Sequence, residues 1–226
     1  MKAKAFKIAD GVYWVGVIHW NSRTFHGYGI PGTSYNAYLV FGEEKTVLID
    51  NVYKGMFEQF DARVKDAFEQ EGKEFKIDVF VQNHSEMDHS TFLRETIEKY
   101  NPDAEIYASQ NCINFLEAQY HNFSDLELTP VATGDELDIG GRTLKFVSAP
   151  MLHWPDSMFT FLAEDGILFS NDAFGQHLAC SKRYDTDYSL DHIIREAQKY
   201  YANLVTLGSP MLRMKLEELT NSGVLE

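Results

Sequence analysis

Cysteine is almost missing from this chain: Cys112 and Cys180 are the only two among 226 residues, far apart and outside any Cys-x-x-Cys pattern. That scarcity excludes a disulfide framework, a thiolate zinc site and an iron–sulfur cluster. Positive charge is scarce as well. Twenty Lys and Arg stand against thirty-four Asp and Glu, a net charge of -14. A phosphate-backbone partner needs clustered Lys and Arg, so no nucleic-acid partner is expected. No apolar run approaches the ~20 residues of a membrane span, and Met1 to Asp10 has no leader-like stretch. The expectation is a soluble, cytoplasmic protein with no membrane partner. Low-complexity tracts, charge blocks and Pro/Gly/Ser linkers are absent too, so nothing divides the chain. What is there is ordinary for a globular core: 44% apolar and 24% charged residues.

The pattern of apolar residues predicts strands first. Residues 5–9 and 12–18 alternate around Asp10-Gly11, and Tyr35–Phe41 and Thr46–Ile49 follow. Met56, Phe57, Phe60, Val64, Ala67 and Phe68 recur at helical spacing, which predicts a helix over 56–71 stopped by Gly72. A short strand, Ile77 to Val81, precedes His84. Ser90 is expected to cap a helix carrying Phe92, Leu93, Ile97 and Tyr100, ended by Asn101-Pro102. Further on, a strand at Glu105–Ala108, a helix at Asn111–His121 and hairpins through Gly140-Gly141 and Asp165-Gly166 are predicted. A helix near 189–202, a strand near 203–207 and a helix near 211–220 complete the expectation. This order suits sheet packed on sheet with helices outside.

Six candidate metal ligands fall in three segments that follow predicted strands: His84, Glu86, Asp88 and His89, then His153, then Asp172. On one continuous helix the first four would spread around more than half the circumference, so a loop is expected, with Ser85 and Met87 turned away. Imidazole and carboxylate without thiolate suit iron, manganese or zinc. Three carboxylates and a bridging hydroxide would balance two divalent ions. Glu86, a hard oxygen donor, favours iron, and Asp172 is the choice for a carboxylate between the metals.

These residues resemble the flavodiiron proteins, whose core is a metallo-β-lactamase-like domain. Hydrolases of that fold show His-x-His-x-Asp-His; here Glu86 stands at the second histidine, and His-x-Glu-x-Asp-His is similar to the flavodiiron version. The resemblance continues through Gly32–Leu39, His153–Met158 and Ser170–Gly175, and His26-Gly27-Tyr28 is similar to the methanogen-type subgroup that oxidises a reduced deazaflavin coenzyme. It implies an α+β fold, a four-layer αβ/βα sandwich over residues 1–226. It also implies two irons, one on His84, Glu86 and His153, the other on Asp88 and His89, with Asp172 bridging. The implied reaction reduces dioxygen to water, or nitric oxide to nitrous oxide. Electrons would come from a flavin or deazaflavin donor through FMN, in a head-to-tail homodimer.

The family's further histidine loop beyond Asp172 and its flavodoxin-like FMN domain have no counterpart before Glu226. The expectation is therefore a domain incomplete at its C-terminus, with the second iron short of an imidazole. His177 and His192 follow Asp172 too closely to match that loop. Outside the ligands, His26 is the candidate to hydrogen-bond a bound oxygen species, Tyr28 to help close the pocket, and His177 to support the site from behind. Trp14, Trp20 and Trp154 are candidates to shield it or to fill core; His19, His121 and His192 are taken as structural or solvated. Two other functions stay open: a dinuclear metal hydrolase of the same fold, and an inactive metal-binding fragment.

Overall fold

The structure, a computed structural model, describes residues 3–221. Its first half builds a seven-stranded sheet and its second half a four-stranded one. The chain opens with β1 (Phe6–Ala9), β2 (Val12–Trp14), β3 (Val17–His19), the small pair β4 (Thr24–Phe25) and β5 (Tyr28–Gly29), then β6 (Thr33–Tyr35), β7 (Tyr38–Phe41) and β8 (Thr46–Ile49). Helix α1 (Phe57–Glu71) leads to β9 (Val79–Gln82), the single turn α2 (Met87–Ser90), α3 (Leu93–Tyr100), β10 (Glu105–Ser109), α4 (Gln110–Tyr120) and β11 (Leu128–Val131). The second sheet follows as β12 (Glu136–Asp138), β13 (Thr143–Ser148), β14 (Met158–Leu162) and β15 (Ile167–Phe169), and helices α5 (Leu190–Tyr200) and α6 (Ser209–Asn221) close the described chain.

The large sheet runs β1-β2-β7-β8-β9-β10-β11, antiparallel up to β8 and parallel from there on. Each parallel step needs a crossover, and α1, then α2 with α3, then α4 supply them. Strand periodicity divides the apolar residues between two faces. Leu39, Leu48, Phe80 and Ile106 stand side by side across four strands and pack on Phe60, Val64, Ile97 and Leu116 of the helices. One residue along, Val12, Val40, Val47 and Val79 form the opposite ladder and meet Leu144, Phe146 and Leu162 of the second sheet. The outer face of that sheet, through Val147, Phe159 and Leu168, packs on Leu212 and Leu219 of α6. The result is a four-layer αβ/βα sandwich, the metallo-β-lactamase-like α+β fold.

Three strand ends meet at one edge. β14 runs antiparallel to both β13 and β15, so the C-terminal ends of β13 and β15 lie together. β9 reaches the same edge, because the Met158 N–H at the start of β14 donates to the Asn83 carbonyl just past β9. The loops carrying His84, His153 and Asp172 are thereby neighbours.

Several local expectations need correction. The predicted strand at 203–207 is helical: Tyr201–Val205 widens α5 into a π turn and Thr206–Gly208 is a 3-10 turn. Only Val205 of the apolar residues there is buried, while Tyr201 and Leu207 are exposed, so the stretch lacks the alternating faces that a strand would present. Ser90 does not cap a helix; it ends α2, and its hydroxyl donates to the Ser85 and Glu86 carbonyls. The expected strand Tyr35–Phe41 is broken at Asn36, with β6 pairing β3 and β7 pairing β2 and β8. Strand β11 and the β4–β5 hairpin were not expected.

Candidate metal centre

The motif between His84 and His89 is half loop and half helix, not a loop throughout. Glu86 begins the turn α2, which presents Asp88 and His89 while Met87 faces solvent. Ser85 is not turned to solvent but fully buried, its hydroxyl without a partner. Helical and extended backbone in succession let four closely spaced residues converge without the circumferential spread of a continuous helix.

Asn83 anchors this segment. Its N–H and side-chain amide donate to the two Asp50 oxygens at 2.8 and 2.9 Å, and its side-chain carbonyl accepts from Thr160 at 2.8 Å. Both sheets thus grip the residue before His84. Left-handed, non-glycine backbone gathers around the site: Asp50 (φ 61°), Met151 (φ 67°), Asn171 (φ 48°) and Phe174 (φ 63°). Such residues persist where the surrounding structure determines them, and they collect at functional sites.

The six candidate ligands come together in two groups. His84 Nε2 and His153 Nε2 lie 3.2 and 3.1 Å from Glu86 Oε2, and 3.7 and 3.3 Å from Asp172 Oδ2. One donor atom from each of these four residues falls within 4.8 Å of the others. On the other side, His89 Nε2 is 3.0 Å from Asp172 Oδ1 and 3.6 Å from Asp88 Oδ2. Asp172 therefore gives one oxygen to each group. His26 Nε2 lies 3.2 Å from the remaining Glu86 oxygen, Oε1. It reaches there on the β4–β5 hairpin, whose two-residue turn has positive φ at His26 (46°) and Gly27 (84°), the type I′ geometry that matches strand twist.

The electrostatics fit a site meant for cations. Burial opposes charge on every ligand, yet Glu86 and Asp172 are held below the ordinary carboxylate range by the facing imidazoles. His84, despite its burial, is raised to about 9 by its hydrogen bonds to Asp156 and Glu86, and His153 to about 9 by Asp172 and Glu86. His89 is raised too, against its burial, chiefly by Asp172 and Asp88. Asp88, deeply buried, is pushed up by desolvation, and its Oδ1 has no hydrogen-bond partner. Three buried carboxylates without metal recruit protons on the imidazoles; divalent ions would replace those protons. His84, Glu86, His153 and Asp172 fit one such ion, and Asp88 and His89 with the other Asp172 oxygen offer three donors to a second.

Asp156 is the functional residue that sequence reasoning did not single out. Fully buried, it faces His84 Nδ1 at 3.2 Å and accepts from the Ser85 N–H at 2.6 Å. A carboxylate behind a ligating imidazole fixes its tautomer and leaves Nε2 free for metal. Its signal was the position inside His153–Met158, where Trp-Pro-Asp-Ser also reads as an ordinary turn. Trp154 lies edge-on to His84 with ring centroids 5.2 Å apart, whereas Trp14 packs elsewhere and Trp20 is 52% exposed.

A cavity of about 190 Å³ opens over the second group, between Asp88, His89, Asp172, His26, Phe25 and His177. His177 Nδ1 is 2.9 Å from the Thr33 hydroxyl, and its buried Nε2 has no partner. Burial lowers this imidazole to about 4, so it is neutral at physiological pH. Tyr28 packs on it with ring centroids 5.8 Å apart but does not line the cavity. His19 stacks on Tyr53, His192 meets Tyr188, and His121 ends α4 in the left-handed conformation; none reaches the centre.

Fold and site together define a metallo-β-lactamase-like protein with a cluster of residues, His84, Glu86, His153 and Asp172, that could hold a metal ion. The chain belongs to the ODP family beta lactamases, whose family model matches residues 33–221. It is 54% identical over 228 residues to a coenzyme F420H(2) oxidase of Methanocaldococcus jannaschii, covering 100% of this chain and 54% of that protein. It is 43% identical to a nitric oxide reductase of Moorella thermoacetica, covering 94% of this chain and 52% of that protein. Among solved structures, the rubredoxin oxygen:oxidoreductase of Desulfovibrio gigas matches with a TM-score of 0.91 at 38% identity, over 98% of this chain and 54% of that one. The flavodiiron protein of Giardia intestinalis matches with a TM-score of 0.88 at 36% identity, over 96% and 52%. The chain thus spans about half the length of the relatives it matches. Among the described residues no helix is long and apolar enough to cross a membrane.

Proposed function

We propose that this chain is the metal-binding domain of an oxidoreductase that reduces dioxygen to water, or nitric oxide to nitrous oxide. One iron would be held by His84, Glu86 and His153, the other by Asp88 and His89, with Asp172 between them. Asp172 carries this reading, because its two oxygens face the two donor groups separately at 3.3 and 3.0 Å. When bound, a pair of ferrous ions would supply two electrons, enough with two protons to turn two nitric oxide molecules into nitrous oxide and water. Those two are half of the four that dioxygen needs, the other two coming from the reduced flavin donor. The chain's own residues do the rest. Asp156 orients His84, the His26 hairpin and Trp154 limit access, and the neutral His177 can hold a proton at Nε2 beside the cavity.

Electrons would come from a reduced flavin or deazaflavin donor, with FMN held outside residues 1–226. The relatives whose names include F420H(2) oxidation and nitric oxide reduction support that assignment. A head-to-tail homodimer would bring such a flavin to these irons. Both cysteines are free thiols, which suits the reducing cytoplasm as its location.

Anaerobic purification followed by elemental analysis tests the metal assignment: about one to two irons per chain are expected, the second held more weakly because its group offers a single imidazole. Consumption of dioxygen and nitric oxide by the iron-loaded protein, with chemically reduced flavin as donor, tests the reaction. A zinc-only protein with esterase activity would instead establish the hydrolase.

A further inference from the structure

A second cavity, of about 280 Å³, lies beside the metal cavity and shares Ser34, Asn36 and Gln176 with it. Its wall includes Trp14, Lys182, Arg183, Tyr184 and Tyr188. Three of the seven arginines pair with a carboxylate: Arg94 with Asp125, Arg142 with Asp165 and Arg213 with Glu217. Arg183 has none among the described residues. Its Nη1 donates only to the Cys180 and Lys182 carbonyls, and its buried Nε has no acceptor. The guanidinium stacks on Trp14, 3.9 Å from the ring centre. Arg63 crowds the same ring at 4.9 Å and likewise donates only to backbone carbonyls.

Two half-buried guanidinium groups sharing one indole repel each other, and burial lowers the pKa of both. Cation–π contact with Trp14 offsets part of that cost, about 0.5–2 kcal/mol per contact. It does not satisfy the free Nε–H. Arg183 lines the cavity, and among the described residues its Nη2 makes no hydrogen bond; a guanidinium so placed is the chemistry that takes a planar or tetrahedral oxyanion. Lys182 and Asp185 on the same wall carry opposite charges, which leaves Arg183 as the unbalanced cation, and the Asn36 carboxamide, which accepts from Trp14 Nε1 at 2.9 Å, lines both this cavity and the metal cavity.

We propose that this cavity is a binding site for a small anionic molecule, a phosphate or carboxylate monoester-sized ligand, whose oxygens pair with Arg183. Tyr184, Tyr188 and Trp14 give the rest of the ligand an aromatic wall, so a ring-bearing anion fits better than a bare ion. The site is separate from the proposed metal ligands and is read without metal.

Titration calorimetry on the metal-free protein tests this with phenyl phosphate and benzoate, which distinguish a phosphate source from a carboxylate source. At least one is expected to bind saturably, weakened about tenfold or more in Arg183→Gln and by a smaller factor in Lys182→Gln. Arg63→Gln should keep the binding, because Arg63 does not line the cavity. No binding by either probe up to about ten millimolar, or binding undiminished by Arg183→Gln, overturns the proposal. If Arg183→Gln does not fold, undiminished binding by Lys182→Gln overturns it instead. Metal content is measured in parallel, so loss of iron binding and loss of anion binding are separate results.

Discussion

At the scale of single residues, the six candidate ligands were legible because their chemistry is rare in combination: imidazole and carboxylate, no thiolate, each following a strand. The supporting residues were not legible. Asp156, Asn83 and Asp50 are common polar residues, and only the meeting of distant strands shows that they grip the His84 loop. Asp156→Asn should leave the fold intact but remove the charge behind His84 Nδ1. Metal affinity is expected to fall about 10–100-fold, measured by competition with a chromophoric chelator. An unchanged affinity would show that His84 is oriented by packing against Trp154 alone. Glu86→His recreates the hydrolase pattern. Glu86 Oε2 sits between His84 and His153, so an imidazole there exchanges a hard oxygen for nitrogen. Iron occupancy after anaerobic loading should drop relative to zinc, by elemental analysis; equal occupancy would remove Glu86 from the ligand set.

Among the elements, helix α1 followed its sequence because Phe60, Val64, Ala67 and Phe68 recur at helical spacing and Gly72 (φ 68°) stops it in the left-handed conformation. The stretch after Tyr200 did not, because β-propensity there is not backed by burial: Val205 is buried, but Tyr201 and Leu207 stand exposed on a helical backbone. Ser109 links an ordinary element to the site. Its hydroxyl accepts from the Cys112 N–H to cap α4 and donates to the Asp156 carbonyl at 2.7 Å. Ser109→Ala should cost about 1–2 kcal/mol in urea denaturation, the usual range for a lost cap. Asp66 on α1 ties down the chain start through the Ala5 N–H at 2.9 Å, Gln70 at 2.6 Å and Lys4 at 3.0 Å. Burial opposes its charge, but those bonds hold its pKa below the ordinary value of 3.8. Its folded pKa is depressed, so its contribution is full above the unfolded pKa and is lost as pH falls through the folded one. Asp66→Asn should therefore destabilise by about 1–3 kcal/mol at neutral pH, with the gap closing below about pH 4. A difference that stayed constant into acid would assign the effect to packing.

For the whole molecule, the layer order was legible while the way it is clamped was not. Alternating apolar residues announce two-faced sheets, but nothing in periodicity says that β9, β13 and β15, from different sheets, end at one edge. The candidate ligands meet through that geometry: His84 to His89 leave the first sheet, His153 and Asp172 the second. A metal pair would therefore clamp the two halves of the sandwich together, and its removal should be felt globally. The unfolded chain cannot hold these six groups in register, so bound metal stabilises the folded state by mass action, about 2.7 kcal/mol at a hundredfold excess over Kd. For a domain of this size each kcal/mol shifts the melting midpoint by about 2–4 °C, so chelation should lower it by roughly 5–10 °C. Stripping and reloading with ferrous iron under anaerobic conditions, followed by thermal unfolding monitored by circular dichroism, measures this directly. The shift should vanish in Asp172→Ala, which removes the oxygens shared by both groups. A melting midpoint indifferent to metal would mean that the hydrogen bonds from Asn83 to Asp50 and Thr160 hold the sheets by themselves, and that the metals sit in a clamp already closed.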